Sequence, residues 1–338
     1  MSHSSACSCD KNHDSIDITC IGSIVLYFFM CVYWAMLRSF GDGANILINI
    51  ISLKRFAPPD PRMAEIKNFL LQLPAIWVAK LGLGTYYVVL SYSVAYALYV
   101  CVSFLVVRYV FKNKLYAVGI IFVAMLDLNQ SFFLITSSMP AFVLIFFLLA
   151  GIEYVDQAKA KLTRFFGGAL LAILLVSESV SPKSLPLLLV TFTLFYVHKI
   201  ERKEKSLQNL LKDKIFYVLP CSILIGLVIW KLFLVNDYQS DILSQTRFEL
   251  KSFSYYKEMV AKLFSYYPVC NIFLIASVIY SFFRRQFLMG LAIIGGYWAM
   301  ALTVDTVLAI NSHSGIYNLY SFSCQIFIGA LSFILMLK

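Results

Sequence analysis

Residues 83–107 read LGTYYVVLSYSVAYALYVCVSFLVV, a run with no Asp, Glu, Lys, Arg or His, and the chain then turns at once to Arg108, Lys112 and Lys114. An α-helix rises about 1.5 Å per residue, so a run of this length crosses the roughly 30 Å hydrocarbon core of a bilayer. Basic residues directly behind it mark the side on which it ends, because Lys and Arg in short loops are retained on the cytoplasmic face. Further apolar runs lie before and after it: Ile18–Leu37, Leu115–Ile135, Met139–Tyr154, Phe165–Ser177, Ser184–Val197, Ile215–Val235, Tyr266–Phe283, Phe287–Val304 and Ile316–Leu337. The pattern predicts an all-α integral membrane protein of about ten transmembrane helices, of which 165–177 and 184–197 are short enough to merge or re-enter.

Composition supports that class. The chain is 60% hydrophobic and 14% charged, with a mean hydropathy of +0.79, whereas soluble domains carry about 25% charged residues. A net charge of +10 would suggest a nucleic-acid partner in a soluble chain. Here the bases flank apolar runs, where they orient helices, and no nucleic acid is expected. No G-x-x-x-x-G-K-[ST], G-x-S-x-G or H-E-x-x-H occurs, which removes the P-loop, nucleophile-elbow and zincin chemistries. Histidines stand only at 3, 13, 198 and 313, and the Cys7-x-Cys9 pair lacks the second pair of a zinc motif. No metal site is therefore expected. Six of the eight cysteines lie in or beside apolar segments, where a thiol behaves as a small hydrophobe.

With residues 1–17 as a mobile cytoplasmic polar tail and 18–338 as one polytopic domain, the inner connections hold Arg108/Lys112/Lys114, Lys159/Lys161/Arg164, the bases from Lys199 to Lys214, and Arg284/Arg285. The inner side carries 16 Lys+Arg and the outer side 12, but the short outer loops 127–138, 178–183 and 305–314 share one Lys. That contrast places the N-terminus inside. Two outer loops are long, 38–83 and 236–265. In the first, apolar residues at 46, 47, 50, 51 and 53 predict an amphipathic interfacial helix. Ala57-Pro58-Pro59-Asp60-Pro61 interrupts it, and a second helix follows over Met63–Leu81. In the second, Tyr238, Phe248, Phe253, Tyr255 and Tyr256 alternate with charges, as suits the headgroup layer.

Five acids then gather on or near the outer face: Asp42 between glycines, Asp60 between prolines, Asp127, Glu178 in Ser177-Glu178-Ser179-Val180-Ser181-Pro182-Lys183, and Asp305. Singly each has a plain explanation, such as a helix cap for Asp127 and Asp305 or a local pair for Asp60 with Arg62. As a set they form one candidate site. A carboxylate at a water–lipid boundary can act as general base for an incoming hydroxyl. A cation beside it can stabilise a departing phosphate, and Arg38, Arg62, Lys183 and His313 are the candidates. Tyr317 enters the last apolar run from the same side, where it also suits an interface anchor.

This layout resembles the GT-C superfamily of multi-span, polyprenyl-phosphate-sugar-dependent glycosyltransferases. The likeness rests on an inside N-terminus and one span leading to a large outer loop with the early acid Asp42 and two surface helices. It rests also on the lysine-bearing turn 177–183 between two apolar runs, and on His313-Ser-Gly-Ile-Tyr317 opening a late span. The resemblance implies a glycosyltransferase of a bacterial inner membrane, moving a sugar from a polyprenyl-phosphate carrier to an acceptor on the periplasmic face. Asp42 would be the catalytic base, with Asp60 or Glu178 as alternative or helper. Arg62, Lys183, His313 and Tyr317 would bind substrate. No cofactor is expected, with a divalent cation left open, and the partners would be membrane lipids and the donor. An O-antigen-type polymerase or ligase, a transporter or flippase, and a structural membrane subunit stand as the other readings.

Overall fold

The computed structural model describes residues 7–39, 42–56, 66–126, 138–179, 184–202, 214–234, 268–302 and 316–338, with isolated positions between 204 and 265. Among these, all regular structure is helical: α1 (Cys7–Tyr33), α2 (Asp42–Leu53), α3 (Ile66–Lys80), α4 (Thr85–Leu105), α5 (Lys114–Leu126), α6 (Ser138–Gln157), α7 (Lys161–Ser179), α8 (Ser184–Glu201), α9 (Lys214–Ile229), α10 (Pro268–Phe283), α11 (Phe287–Leu302) and α12 (Ile316–Leu337). Single π-helical turns extend α4 over Val106–Val110 and α9 over Trp230–Leu234. Five described stretches are long and apolar enough to cross a membrane: Ile16–Tyr33, Thr85–Val110, Met139–Gln157, Lys161–Ser179 and Phe216–Phe233. Lys114–Met125, Asn271–Phe283, Phe287–Met300 and Phe327–Leu337 are shorter apolar helices. The helical membrane class follows, while about half of the expected ten spans reach full length among the described residues.

Contacts divide the chain into two units, Met1–Pro58 with Phe69–Val143, and Pro59–Asn68 with Leu144–Lys338. In the first, α1, α4 and α5 pack against one another. Here α1 begins at Cys7 and runs straight into the first apolar segment. Its Asp17 accepts a two-pronged bond from Arg108, Nε at 2.9 Å and Nη2 at 2.6 Å. A planar guanidinium matches a carboxylate in this way, and the bond fixes the Asp17 turn of α1 beside the π turn that ends α4. Deeper in, Ser93 donates to the Cys31 carbonyl at 2.6 Å. The predicted amphipathic helix is α2, which buries Leu47 and Ile50 and leaves Ile48 outside. Gly82, at φ 74°, makes the turn from α3 to α4 that a residue with a Cβ resists.

In the second unit the inner turns of α6 are almost wholly buried, with Ile145, Phe146, Leu148 and Leu149 sealed from the surface. Phe146 meets Phe327 of α12 edge-on at 5.4 Å. Around them α7 packs on α9, α8 on α11 and α12, and α10 on both α11 and α12. Glycines permit close approaches between these helices. A Cβ on Gly226 would lie 2.6 Å from Ser179 Cβ, and one on Gly296 would lie 2.7 Å from Val190. The outer faces of α7 and α9 present Phe165, Phe166, Ile173, Leu224 and Val228. Such a surface would be an aggregation hazard in water and is the ordinary covering of a helix against lipid.

The ends of this unit sort by charge. Glu153 and Asp156 at the end of α6, His198 and Lys199 at the end of α8, and Lys338 after α12 are joined at one end by Lys338–Glu153 and Lys199–Asp156 ion pairs, the latter at 3.6 Å. Arg164 at the start of α7 donates to the Asp156 carbonyl. Glu201 accepts at both carboxylate oxygens from the Leu288 and Met289 N–H groups at the start of α11, at 2.7 and 3.0 Å. These are connections that the threading assigns to the inner side, and within this unit they do lie together.

Candidate functional site

The opposite end of α7 carries the sequence-predicted acid Glu178. It is 1% exposed, and its Oε2 accepts from Lys67 Nζ at 2.5 Å. Lys67 is equally enclosed, at 3%. Next to it the Ile66 N–H donates to Ser177 Oγ at 2.6 Å, while Ser179 turns its hydroxyl back to the Leu175 carbonyl.

The local physics explains this meeting. Ile66 is the first described residue of α3, where N–H groups take acceptors from outside the helix. Ser177 supplies the acceptor from another helix, which is capping across 111 positions of chain. Lys67 alone would sit poorly in the first turn of α3, where the helix dipole is positive, but Glu178 brings a negative charge to that spot. Conversely, Glu178 in the last turn of α7 meets the negative end of its own helix and is offset by the ammonium. Two helix ends and two charges therefore complement one another. Close packing completes the joint, since Gly226 of α9 lets its backbone press on Val176 and Ser179.

The pair is enclosed, which decides what it can do. A carboxylate serving as general base must reach its substrate's hydroxyl, and Glu178 is instead held by Lys67 inside the protein. This arrangement suits holding the start of α3 to the end of α7. Of the other sequence candidates, Asp42 is the first residue of α2 and Tyr317 lies in the first turn of α12. Their side chains are outside the described residues. Asp60, Arg62, Lys183 and His313 lie outside the described residues altogether, as do Asp127 and Asp305. The candidate that can be followed, Glu178, is joined by a residue absent from the predicted set. Lys67 was readable only as a lone base early in a helical apolar stretch, IKNFLLQLPAIWVAK. Its partner lies 111 positions away, and no spacing rule reaches that far.

Among the described residues no group of three His, Cys, Asp or Glu side chains is placed to hold a metal ion. The other polar gathering, at the His198 end, consists of ion pairs and a helix cap. His198 itself is 3% exposed, with neither ring nitrogen bonded. Against known proteins the chain stands alone: no family model, no curated protein and no solved structure matches it.

Proposed function

We propose that this chain is a membrane glycosyltransferase, with about ten spans and a cytoplasmic N-terminus, that moves a sugar from a polyprenyl-phosphate carrier to an acceptor on the periplasmic face of a bacterial inner membrane. The observation that supports it is the Lys67–Glu178 joint. Asp60 and Arg62 stand seven and five residues before Lys67, and Lys183 stands five after Glu178. The joint therefore ties the chain beside an acid and a base of the first long loop to the chain beside the lysine of the 178–183 turn. A site for a lipid-borne phosphate ester needs such a junction of base and cations at the edge of the membrane.

In this reading Asp42 takes the proton from the acceptor hydroxyl, with Asp60 as helper. Arg62, Lys183 and His313 contact the phosphate that leaves with the lipid, and Tyr317 lines the entry. Glu178 becomes a positioning residue. The depth of the joint also favours an edge site over a transport site. Glu178 is seventeen positions along α7 from Lys161, about 26 Å at 1.5 Å per residue, close to the far edge of a roughly 30 Å core. Transporter sites gather near the midplane.

The test uses the full chain in lipid vesicles supplied with polyprenyl-phosphate carriers bearing radiolabelled sugars. The wild type should remove label from at least one carrier. Asp42→Asn should fall at least a hundredfold with unchanged thermal unfolding, as expected for a lost general base. A normally active Asp42→Asn removes the assignment of the base. An inert wild type across the carriers removes the transferase reading and favours a structural subunit.

A further inference from the structure

The joint above leaves a different set of polar groups unexplained, and they lie where α8, α11 and α12 pack on one another. Thr191 Oγ1, Tyr297 OH and Ser332 Oγ are buried and have no hydrogen-bond partner, as are both ring nitrogens of His198. Other helical hydroxyls in this chain behave differently. Ser179, Thr193, Ser277 and Ser281 each donate to the carbonyl four residues earlier, at 2.6 to 2.8 Å. That back-bond is how a Ser or Thr helix position is ordinarily satisfied in a bilayer. Thr191 and Ser332 do not make it.

The packing puts the three hydroxyls at one depth. Lys199, near the end of α8, pairs with Asp156, and Lys338, after α12, pairs with Glu153, three positions from Asp156 on α6. The ends of α8 and α12 are therefore level, and the two helices run in parallel. Thr191 is seven positions back from His198, and Ser332 is six back from Lys338. On α11 the Glu201 cap sets the start of the helix level with the end of α8, and Gly296 comes against Val190. Tyr297 follows Gly296 and so shares the level of Thr191. Ten residues separate Thr191 from Glu201, about 15 Å of helix, or half of a roughly 30 Å core. His198 lies between this level and the basic end.

We propose that α8, α11 and α12 enclose a hydrated site at mid-membrane depth, in which ordered water bonds Thr191, Tyr297 and Ser332 and reaches them from the His198 end. Buried polar groups in native proteins are nearly always bonded to protein or to water. A buried water needs two to four polar partners, and three hydroxyls at one level supply them. Isolated unsatisfied hydroxyls are costly, and three on mutually contacting helices are accounted for together by one shared ligand. The site gives water and protons a path from the basic end half-way into the bilayer. It is independent of the transferase reading.

Solid-state NMR of the full chain in lipid bilayers tests it, by magnetisation transfer from water protons to labelled threonine and histidine. Thr193 is the internal control, since it lies two positions from Thr191, faces outward and is bonded to the Leu189 carbonyl. Thr191 and His198 should receive water magnetisation several times faster than Thr193. The Thr191 signal is assigned by Thr191→Val, and His198 by elimination with substitutions at His3, His13 and His313. Equal, slow transfer to Thr191, His198 and Thr193 overturns the proposal. Thermal unfolding is a second readout. If water bridges the hydroxyls, Thr191→Val and Ser332→Ala should each lower the midpoint, and the double variant should depart from their sum. Unchanged or raised midpoints that simply add would show a dry contact and overturn the proposal.

Discussion

The two ends of the second unit use the same chemistry to different effect. At the Ser177 end the Lys67–Glu178 ion pair is closed off, with side-chain exposures of 2% and 0%. At the other end the described pairs are wetter: Lys199 to Asp156 at 3.6 Å, Lys338 to Glu153, and Arg202 to Glu204 at 3.8 Å between half-exposed groups. Removing one member of an enclosed pair strands the other away from water, whereas a wet pair merely exchanges its partner for solvent. The difference teaches that the closed end is a joint and the open end a solvated rim.

Glu178→Ala should have the largest effect, because it leaves the Lys67 ammonium enclosed and removes the charge that offsets the α3 dipole. Unfolding of the purified protein in detergent should show a loss of about 3–5 kcal/mol. A loss below about 1 kcal/mol would show that water reaches the joint and would erase the contrast. Glu201→Ala should come next, at about 1–2 kcal/mol, since two N–H groups at the start of α11 lose a charged acceptor. Glu201→Gln should recover part of that loss. Asp156→Asn at the rim should cost less than about 1 kcal/mol, and raising salt from low ionic strength should shrink the difference. An Asp156→Asn effect as large as that of Glu178→Ala would show the rim to be closed in the membrane. The smallest stability change is expected for the paired replacement Lys67→Met with Glu178→Leu, within about 1 kcal/mol of wild type or slightly stabilising. If the joint positions a transferase site, this folded variant should still lose sugar transfer, which separates holding the loop from holding the fold.

Much of the helical layout was readable before any packing was known. The 83–107 run lies almost wholly in the helix starting at Thr85 and its π turn, which ends at Val110. The alternation at 46–53 matches the helix Asp42–Leu53, and the interruption at 57–61 falls between that helix and α3. Each of these depends on local sequence: an apolar run long enough to span, a 3.6-residue period, or a proline that cannot donate. The site was less legible. Glu178 was visible as an acid in a polar turn, but Lys67 stood as a lone base early in a helical apolar stretch. Glu201 stands among the bases from Lys199 to Lys214, and nothing nearby in sequence showed that it caps a helix beginning 86 residues later. Thr191 and Ser332 were indistinguishable from Thr193 and Ser281. Only the helix faces on which they sit set them apart.

The sequence by itself determined the solvent in which this chain folds, the order and kind of its helices, and which connections carry the basic charge. Those properties follow from transfer of short stretches between water and lipid, a sum that each stretch makes independently. Tertiary structure alone decided which charges are enclosed, which helix ends meet and which hydroxyls go without a local partner. In lipid, helix pairing is selected by close approach and polar contact between segments far apart in the chain, as at Gly226 against Ser179 and Lys67 against Glu178. Those contacts exist only once the helices are side by side.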